Sequence, residues 1–185
     1  MDIWVLLIPT MRVALYAAVV GVIGTLIFSA HFWKYQSDGS RAFCSELLRK
    51  FSVVGVFTSV ALFFAVSGNM GGTFMSAFSP ELLEIALSSK TGVASILCMG
   101  GFLLIIGKRK LDRIFPPLVT ALAASGLLLW TFLMSGHATK LGVVAQILLL
   151  IHLLGIAFWL GSLLPLKHMC ECEEGDRLYE VAHNF

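Results

Sequence analysis

Charged side chains are scarce in this sequence, and that scarcity decides its class. Only 13% of the residues are Asp, Glu, Lys or Arg, whereas 58% are hydrophobic, and the mean hydropathy is +0.89. Ordinary soluble domains carry roughly 25% charged residues. A soluble core built from 185 residues cannot hide this much apolar surface. The composition therefore predicts an integral membrane protein, in which each helical crossing needs about 20 largely apolar residues.

Several motifs of enzymes and nucleic-acid-binding proteins are also missing. The sequence has no phosphate-binding loop, no nucleophile elbow and no HExxH zinc motif. Its four cysteines are too few and too scattered for a disulfide scaffold. The basic clusters are short and are explained by membrane topology, so they do not imply nucleic acid. We therefore expect neither an enzyme nor a nucleic-acid partner.

Five apolar runs predict an all-α transmembrane helix bundle. Helices are favoured because lipid offers no hydrogen-bond partners to open backbone groups. The predicted spans lie near residues 13–32, 51–70, 91–107, 115–135 and 143–166, within a single transmembrane domain of residues 1–185. The apolar stretch 3–11 is interrupted by Pro9 and followed by Arg12. It is either an interfacial lead-in or an outer extension of the first span.

Basic residues in the connecting segments predict the orientation. Ten Lys and Arg residues fall in segments 33–50, 108–113 and 167–185, and three fall on the opposite side. Because cytoplasmic loops are rich in Lys and Arg, the N-terminus is predicted outside and the C-terminus inside. On the outer side, Ser79-Pro80-Glu81 has the pattern of a helix start and predicts a short amphipathic helix there.

Ionisable side chains inside the spans are the main functional candidates, because they are costly in lipid. His152 lies near the middle of the fifth span, and Gly155 and Trp159 share its helix face. Its imidazole needs a bound ligand or a hydrogen bond, so the alternative is a neutral histidine bonded to a neighbouring helix. His137 lies at the outer end of the fourth span near Met134. Imidazole suits copper or zinc and thioether selects Cu(I), although an interfacial turn histidine is the alternative.

Two weaker signals lie near the membrane boundaries. Met70 and Met75 flank glycines in the outer loop and could hand over a soft metal, but chance placement explains them as well. His31 lies beside Trp33, a grouping more typical of an interfacial anchor than of a ligand.

The inner tail holds a further group of soft ligands. Cys170 and Cys172 are accompanied by His168 and Met169, which together could hold a soft metal in the reducing compartment. Two thiols without a second pair fall short of a zinc motif. A solvated tail is the alternative interpretation.

The last two spans carry motifs that are similar to those of a known family. Gly136-His137-Ala138 is followed by His152-Leu153-Leu154 and by Trp159-Leu160-Gly161-Ser162-Leu163-Leu164-Pro165-Leu166. This arrangement resembles the copper resistance protein D (CopD) family, and the outer loop around Phe78-Ser79-Pro80 is similar to that family too. The resemblance runs over most of the chain, although only the two histidine motifs are specific.

The resemblance implies a multi-pass protein of the bacterial inner membrane that passes copper from the periplasmic side toward the cytoplasm. It implies a copper ion held by His137 and His152, with Met134 assisting at the outer end. It also implies a small periplasmic copper-binding partner beside the lipid bilayer, and leaves a homo-oligomer open. Family members commonly have more spans, and residues 181–185 resemble the start of a sixth. A truncated form of a longer architecture is therefore expected.

The depths of the two histidines argue against one closed site. If the fifth span starts near Leu141, His152 lies about 16 Å further in at about 1.5 Å per residue, whereas metal–ligand bonds are roughly 2 Å long. We therefore favour two stations of a path, with capture at His137 and transfer to His152. Two other functions stay open: a b-type haem redox protein with intramembrane axial histidines, and a membrane accessory subunit whose histidines serve packing.

Overall fold

The computed structural model describes residues 3–135, 142–173 and 175–184 of the chain. Within these ranges the chain is helical and contains no strand. The α-helices are α1 (Ile3–His31), α2 (Asp38–Gly71), α3 (Pro80–Ser88), α4 (Lys90–Leu111), α5 (Pro117–Ser135), α6 (Val143–Gly161), α7 (Leu163–Cys172) and α8 (Gly175–Asn184). Short 3-10 helices cover Trp33–Tyr35 and Met75–Phe78.

Five helical segments of the described chain are long and apolar enough to cross a membrane, which confirms the predicted all-α bundle. They are α1, α2, α4, α5 and the segment Val143–Cys172 formed by α6 and α7. α1 runs from Ile3 through Pro9 without a break, so the apolar stretch before Arg12 is an outer extension of the first span. Outer and inner refer throughout to the orientation that the loop charges predict.

Helix boundaries follow the local chemistry of the sequence. At the start of α2, the Ser37 hydroxyl accepts a hydrogen bond from the Ser40 N–H at 3.3 Å and so caps the helix. α3 begins at Pro80, as predicted, and α5 begins at Pro117; proline suits a first turn because its missing N–H has no partner there. α2 is followed by Gly72 with φ of 73°, a left-handed conformation that favours glycine.

The main core lies between α1, α2, α4 and α5. α2 packs against α1 and α4, and α4 packs against α5. Val22, Phe102 and Leu128 are completely buried at the centre of this core. Glycine brings α1 and α2 close, because a Cβ added at Gly21 would lie 2.6 Å from the Phe51 ring. These four helices supply most of the buried residues of the main core.

A second apolar cluster closes the inner end of the bundle. It brings together α1, α2, α7 and α8 and the 3-10 helix between α1 and α2. Its buried members are Phe28, Phe32, Cys44, Met169 and Val181. Val181, in the stretch that resembles the start of a sixth span, is thus packed against the inner ends of the first two spans.

Candidate functional site

His152 lies near the middle of α6, nine residues after Val143, or about 14 Å along the helix at about 1.5 Å per residue. Its side chain is exposed on the outside of the bundle. Leu148 and Ile151 beside it are 62% and 61% exposed. No hydrogen bond joins His152 to any residue that the structure describes. The described chain therefore offers no support for a neutral histidine bonded to a neighbouring helix.

α6 is attached to the bundle by the side opposite His152. A Cβ added at Gly24 of α1 would lie 2.1 Å from the Ala157 carbonyl oxygen, and one added at Gly161 would lie 2.4 Å from the Val20 carbonyl oxygen. The backbones of α1 and α6 therefore touch at this crossing. At 3.6 residues per turn, Ala157 and Gly161 lie about 140° and 180° round the helix from His152. The imidazole consequently faces away from α1.

Leu148, His152, Gly155 and Trp159 form one outward surface of α6, the His152 face. Their common orientation agrees with the predicted helix period, and Trp159 is 65% exposed. A Cβ added at Gly155 would meet no described atom within 4 Å. Leucine and tryptophan side chains are stable in contact with lipid, whereas placing an ionisable side chain in lipid costs free energy. The His152 face is therefore where a ligand for the imidazole is expected.

The outer part of the predicted site lies on α5 and in the segment after it. Met134 is the next-to-last residue of α5, and its side chain is partly buried. His137 lies outside the described residues, within segment 136–141, so its role in outer capture stays a prediction. α5 packs mainly against α4, whereas α6 packs mainly against α1. Met134 and His152 thus belong to different parts of the bundle.

His31 and His152, two histidines of the described spans, do not lie at the depth that would let them share one haem. A haem with two axial histidines needs both at one depth. His31 ends α1, seven residues inward of Gly24, whereas His152 lies outward of the same crossing at Gly161. At about 1.5 Å per residue these two imidazoles differ in depth by roughly 20 Å. Within the described ranges, no three or more His, Cys, Asp or Glu side chains lie together in a group that could hold a metal ion.

The structure contains a small cavity in the outer half of the bundle that the sequence analysis did not predict. It lies between α1, α2, α4 and α5, and its lining includes Arg12, Ser95, Cys98 and Thr131. The Thr131 hydroxyl lies 3.3 Å from Cys98 Sγ and donates to the Leu128 carbonyl oxygen at 2.7 Å. The cavity measures about 30 Å³, enough for about one water molecule. These residues share no sequence motif, so only the packing of four helices reveals the cavity.

The weaker candidates lie at the two membrane boundaries. On the inner side His31 is exposed, and the Arg41 guanidinium lies 4.1 Å from the centre of the Trp33 ring. Such aromatic and basic pairs are typical of an interfacial belt. On the outer side Met70 and Met75 are 49% and 78% exposed. They are accessible from outside, and the described chain provides no further function for them.

A charged cluster on the inner side ties α4 to α5. Asp112 follows α4 and accepts hydrogen bonds from Lys108 and from the Thr120 hydroxyl. Burial acts to raise the pKa of this carboxyl, but the hydrogen bonds from Lys108 and Thr120 and the lysine charge hold the pKa of Asp112 below its ordinary value. The cluster is a structural joint between two spans, distant in sequence from the histidine motifs.

Comparison with known families identifies one matching description. Residues 1–147 match the family described as "Copper resistance protein D-like, N-terminal domain". This range includes Met134 and His137 and ends before His152. No curated protein and no solved structure matches the chain.

Proposed function

The chain belongs to the copper resistance protein D-like family, and from that premise we propose that it binds copper within the membrane and passes it toward the cytoplasm. The bacterial inner membrane is the proposed location, with the outer end of the bundle facing the periplasm. The observation that carries the proposal is the exposed imidazole of His152 in the middle of α6, which has no hydrogen bond to any residue that the structure describes. Neutral imidazole is a good copper ligand, which gives this costly side chain a function.

The proposed path has two stations at different depths. His137, with Met134 beside it in the sequence, captures the ion at the outer end of the fourth span. His152 receives it about 14 Å further along α6, counted from Val143 at about 1.5 Å per residue. The thioether of Met134 favours Cu(I) over harder ions. A small periplasmic copper-binding protein is the proposed donor, and copper is cargo.

The orientation of the His152 face limits where further ligands for the copper ion can come from. Because this face points away from α1, further ligands cannot come from the α1 crossing at Gly24 and Gly161. We propose that they come from another polypeptide segment packed on the His152 face, for which a second copy of the chain is the simplest candidate. Such a segment would also give the imidazole the polar surroundings that lipid lacks.

Copper accumulation by cells tests the proposal. We expect cells producing His152→Ala to accumulate copper at a rate about tenfold or more below that of cells producing the wild type, because losing a ligand weakens metal binding at least as much as losing its supporting groups. His31→Ala is the matched control, since it removes an exposed histidine at the inner boundary. Equal accumulation in His152→Ala and wild-type cells would contradict the proposal. Higher accumulation in the variant would contradict the inward direction.

A further inference from the structure

Two soft ligands converge at the inner end of α7. Cys172 Sγ lies 3.9 Å from His168 Nδ1, and the two residues are one helical turn apart. Cys172 is exposed and His168 is partly buried. This position is the inner end of the fifth spanning segment, on the side predicted to face the cytoplasm.

The surrounding contacts hold this pair in place before any ion arrives. The His168 ring stacks on Phe43 of α2 with ring centres 4.0 Å apart and planes 9° from parallel. Glu173, next to Cys172, accepts hydrogen bonds from the Ser37 N–H at 2.9 Å and the Ser40 hydroxyl at 2.6 Å. α7 is thus fixed to the start of α2 on both sides of the pair.

Helical geometry decides which residues of the tail act together. Cys170 and Cys172 both lie within α7, where side chains two apart do not face each other. Met169 is 1% exposed within the inner apolar cluster and is therefore occupied by packing. His168 and Cys172, four apart, share a face. The sequence pattern suggested a pair of thiols, but the structure pairs one thiol with an imidazole.

We propose that His168 and Cys172 form a Cu(I) site at the inner face of the membrane. A thiolate selects soft ions, and imidazole binds copper readily. Bonds of about 2.0 Å to nitrogen and about 2.3 Å to sulfur, as found for zinc, let one ion bridge the two atoms at a wide angle. Cu(I) accepts two ligands in such an arrangement, whereas structural zinc takes four. On binding, the thiol proton passes to water.

This site deepens the proposed function and rests on it for the source of the ion. Copper leaving His152 would meet His168 and Cys172 next on the way inward, sixteen residues along the same α6–α7 segment at His168. The thiol stays reduced there because the cytoplasm is reducing. The pair would act as an exit station from which a cytoplasmic acceptor takes the ion.

The test uses the purified full chain in detergent, titrated anaerobically with Cu(I) against a coloured Cu(I) chelator. We expect Cys172→Ser and His168→Phe to weaken one binding site by about tenfold or more, and the sulfur signal of that site in X-ray absorption to disappear in Cys172→Ser. Phenylalanine keeps a ring against Phe43 while removing the nitrogen ligand. Cys170→Ser is the matched control and should bind Cu(I) like the wild type.

If Cys172→Ser binds Cu(I) as tightly as the wild type, the proposed site is wrong. The proposed site is also wrong if Cys170→Ser and Cys172→Ser lose Cu(I) affinity equally. The proposed function can fail separately. If His152→Ala leaves cellular copper accumulation unchanged while Cys172→Ser still loses its Cu(I) site, the inner site stands and the path through His152 does not. If His152→Ala lowers accumulation while Cys172→Ser binds normally, the path stands without this exit station.

Discussion

The first and last spans have nearly the same hydropathy but very different surroundings. The most apolar windows of α1 and of the α6–α7 segment have mean hydropathies of 2.2 and 2.4, yet 50% of the first is buried within the protein and only 6% of the second. α1 is therefore a central helix, and α6 lies against it along one side. The difference shows that hydropathy identifies a span but does not tell which of its faces meets protein.

This contrast places the functional candidate on the less enclosed helix. Lipid explains the exposed apolar residues of α6, because lipid tails cover leucine as well as protein does. It does not explain His152, which has an exposed imidazole at mid-span. In contrast, Thr131 in the enclosed bundle has partners in Cys98 and the Leu128 carbonyl oxygen. The exposure of the polar group therefore distinguishes the two regions: the His152 imidazole lies on the outside of α6, whereas the Thr131 hydroxyl is enclosed between helices.

The crossing of α1 and α6 should be the most sensitive point of the comparison. Gly24→Val would force a Cβ to within 2.1 Å of the Ala157 carbonyl oxygen, and we expect it to destabilise the protein by more than about 3 kcal/mol or to prevent folding. Thermal unfolding in detergent and the yield of monodisperse protein measure this effect. Gly126→Val in α5 is the control, because a Cβ there meets no described atom within 4 Å. Equal yields and melting temperatures for the two variants would show that α6 is not seated on Gly24.

Replacing one leucine in the enclosed bundle and one on the His152 face with alanine compares the packing of the two regions. Leu128 is completely buried between α4 and α5. Its replacement by alanine should lower the free energy of unfolding by about 2–5 kcal/mol because a cavity remains. Leu148 is 62% exposed on the His152 face. Its replacement by alanine should lower the free energy of unfolding by less than about 0.5 kcal/mol, because lipid or detergent fills the space. Chemical denaturation of the two variants compares these losses. A loss at Leu148→Ala as large as at Leu128→Ala would mean that protein covers the His152 face even in a single purified chain.

The smallest expected effect is at the inner joint between α4 and α5. Asp112→Asn should lower the free energy of unfolding by about 1 kcal/mol at neutral pH, because it weakens charged hydrogen bonds at a partly exposed site. This loss corresponds to a melting temperature about 2–4 °C lower. Because the folded-state pKa of Asp112 is lowered, its stabilisation is complete above the unfolded-state pKa and is lost as the pH falls through the folded-state value. The wild type and the variant should therefore converge in acid. A difference that persists at low pH would contradict this account.

The sequence predicted the features that local chemistry controls. The five crossings follow from the length and composition of the apolar runs, and Pro80 begins α3 because proline suits a first helical turn. The free face of α6 was not predictable, because a helix that is apolar all round gives no periodic signal for its packed side. The contact of Gly24 with Ala157, 133 positions apart, likewise depends on tertiary packing.

The candidate sites divide in the same way. The shared face of His152, Gly155 and Trp159 follows from the helix period alone. That this face points outward follows only from the α1–α6 contact. The separation of Cys170 from Cys172 required knowing that α7 stays helical to its end at Cys172. A Cys-x-Cys spacing is equally compatible with a loop, in which both thiols could meet one ion.

Copper binding by the purified chain tests the central claim, that the imidazole on the free face of α6 takes copper. Copper bound to the wild type, to His152→Ala and to His31→Ala is counted by mass spectrometry, and nitrogen ligation is followed by X-ray absorption. Our account predicts that His152→Ala loses an imidazole-bound ion that the wild type and His31→Ala keep. Equal copper content and unchanged imidazole scattering in all three proteins would contradict it.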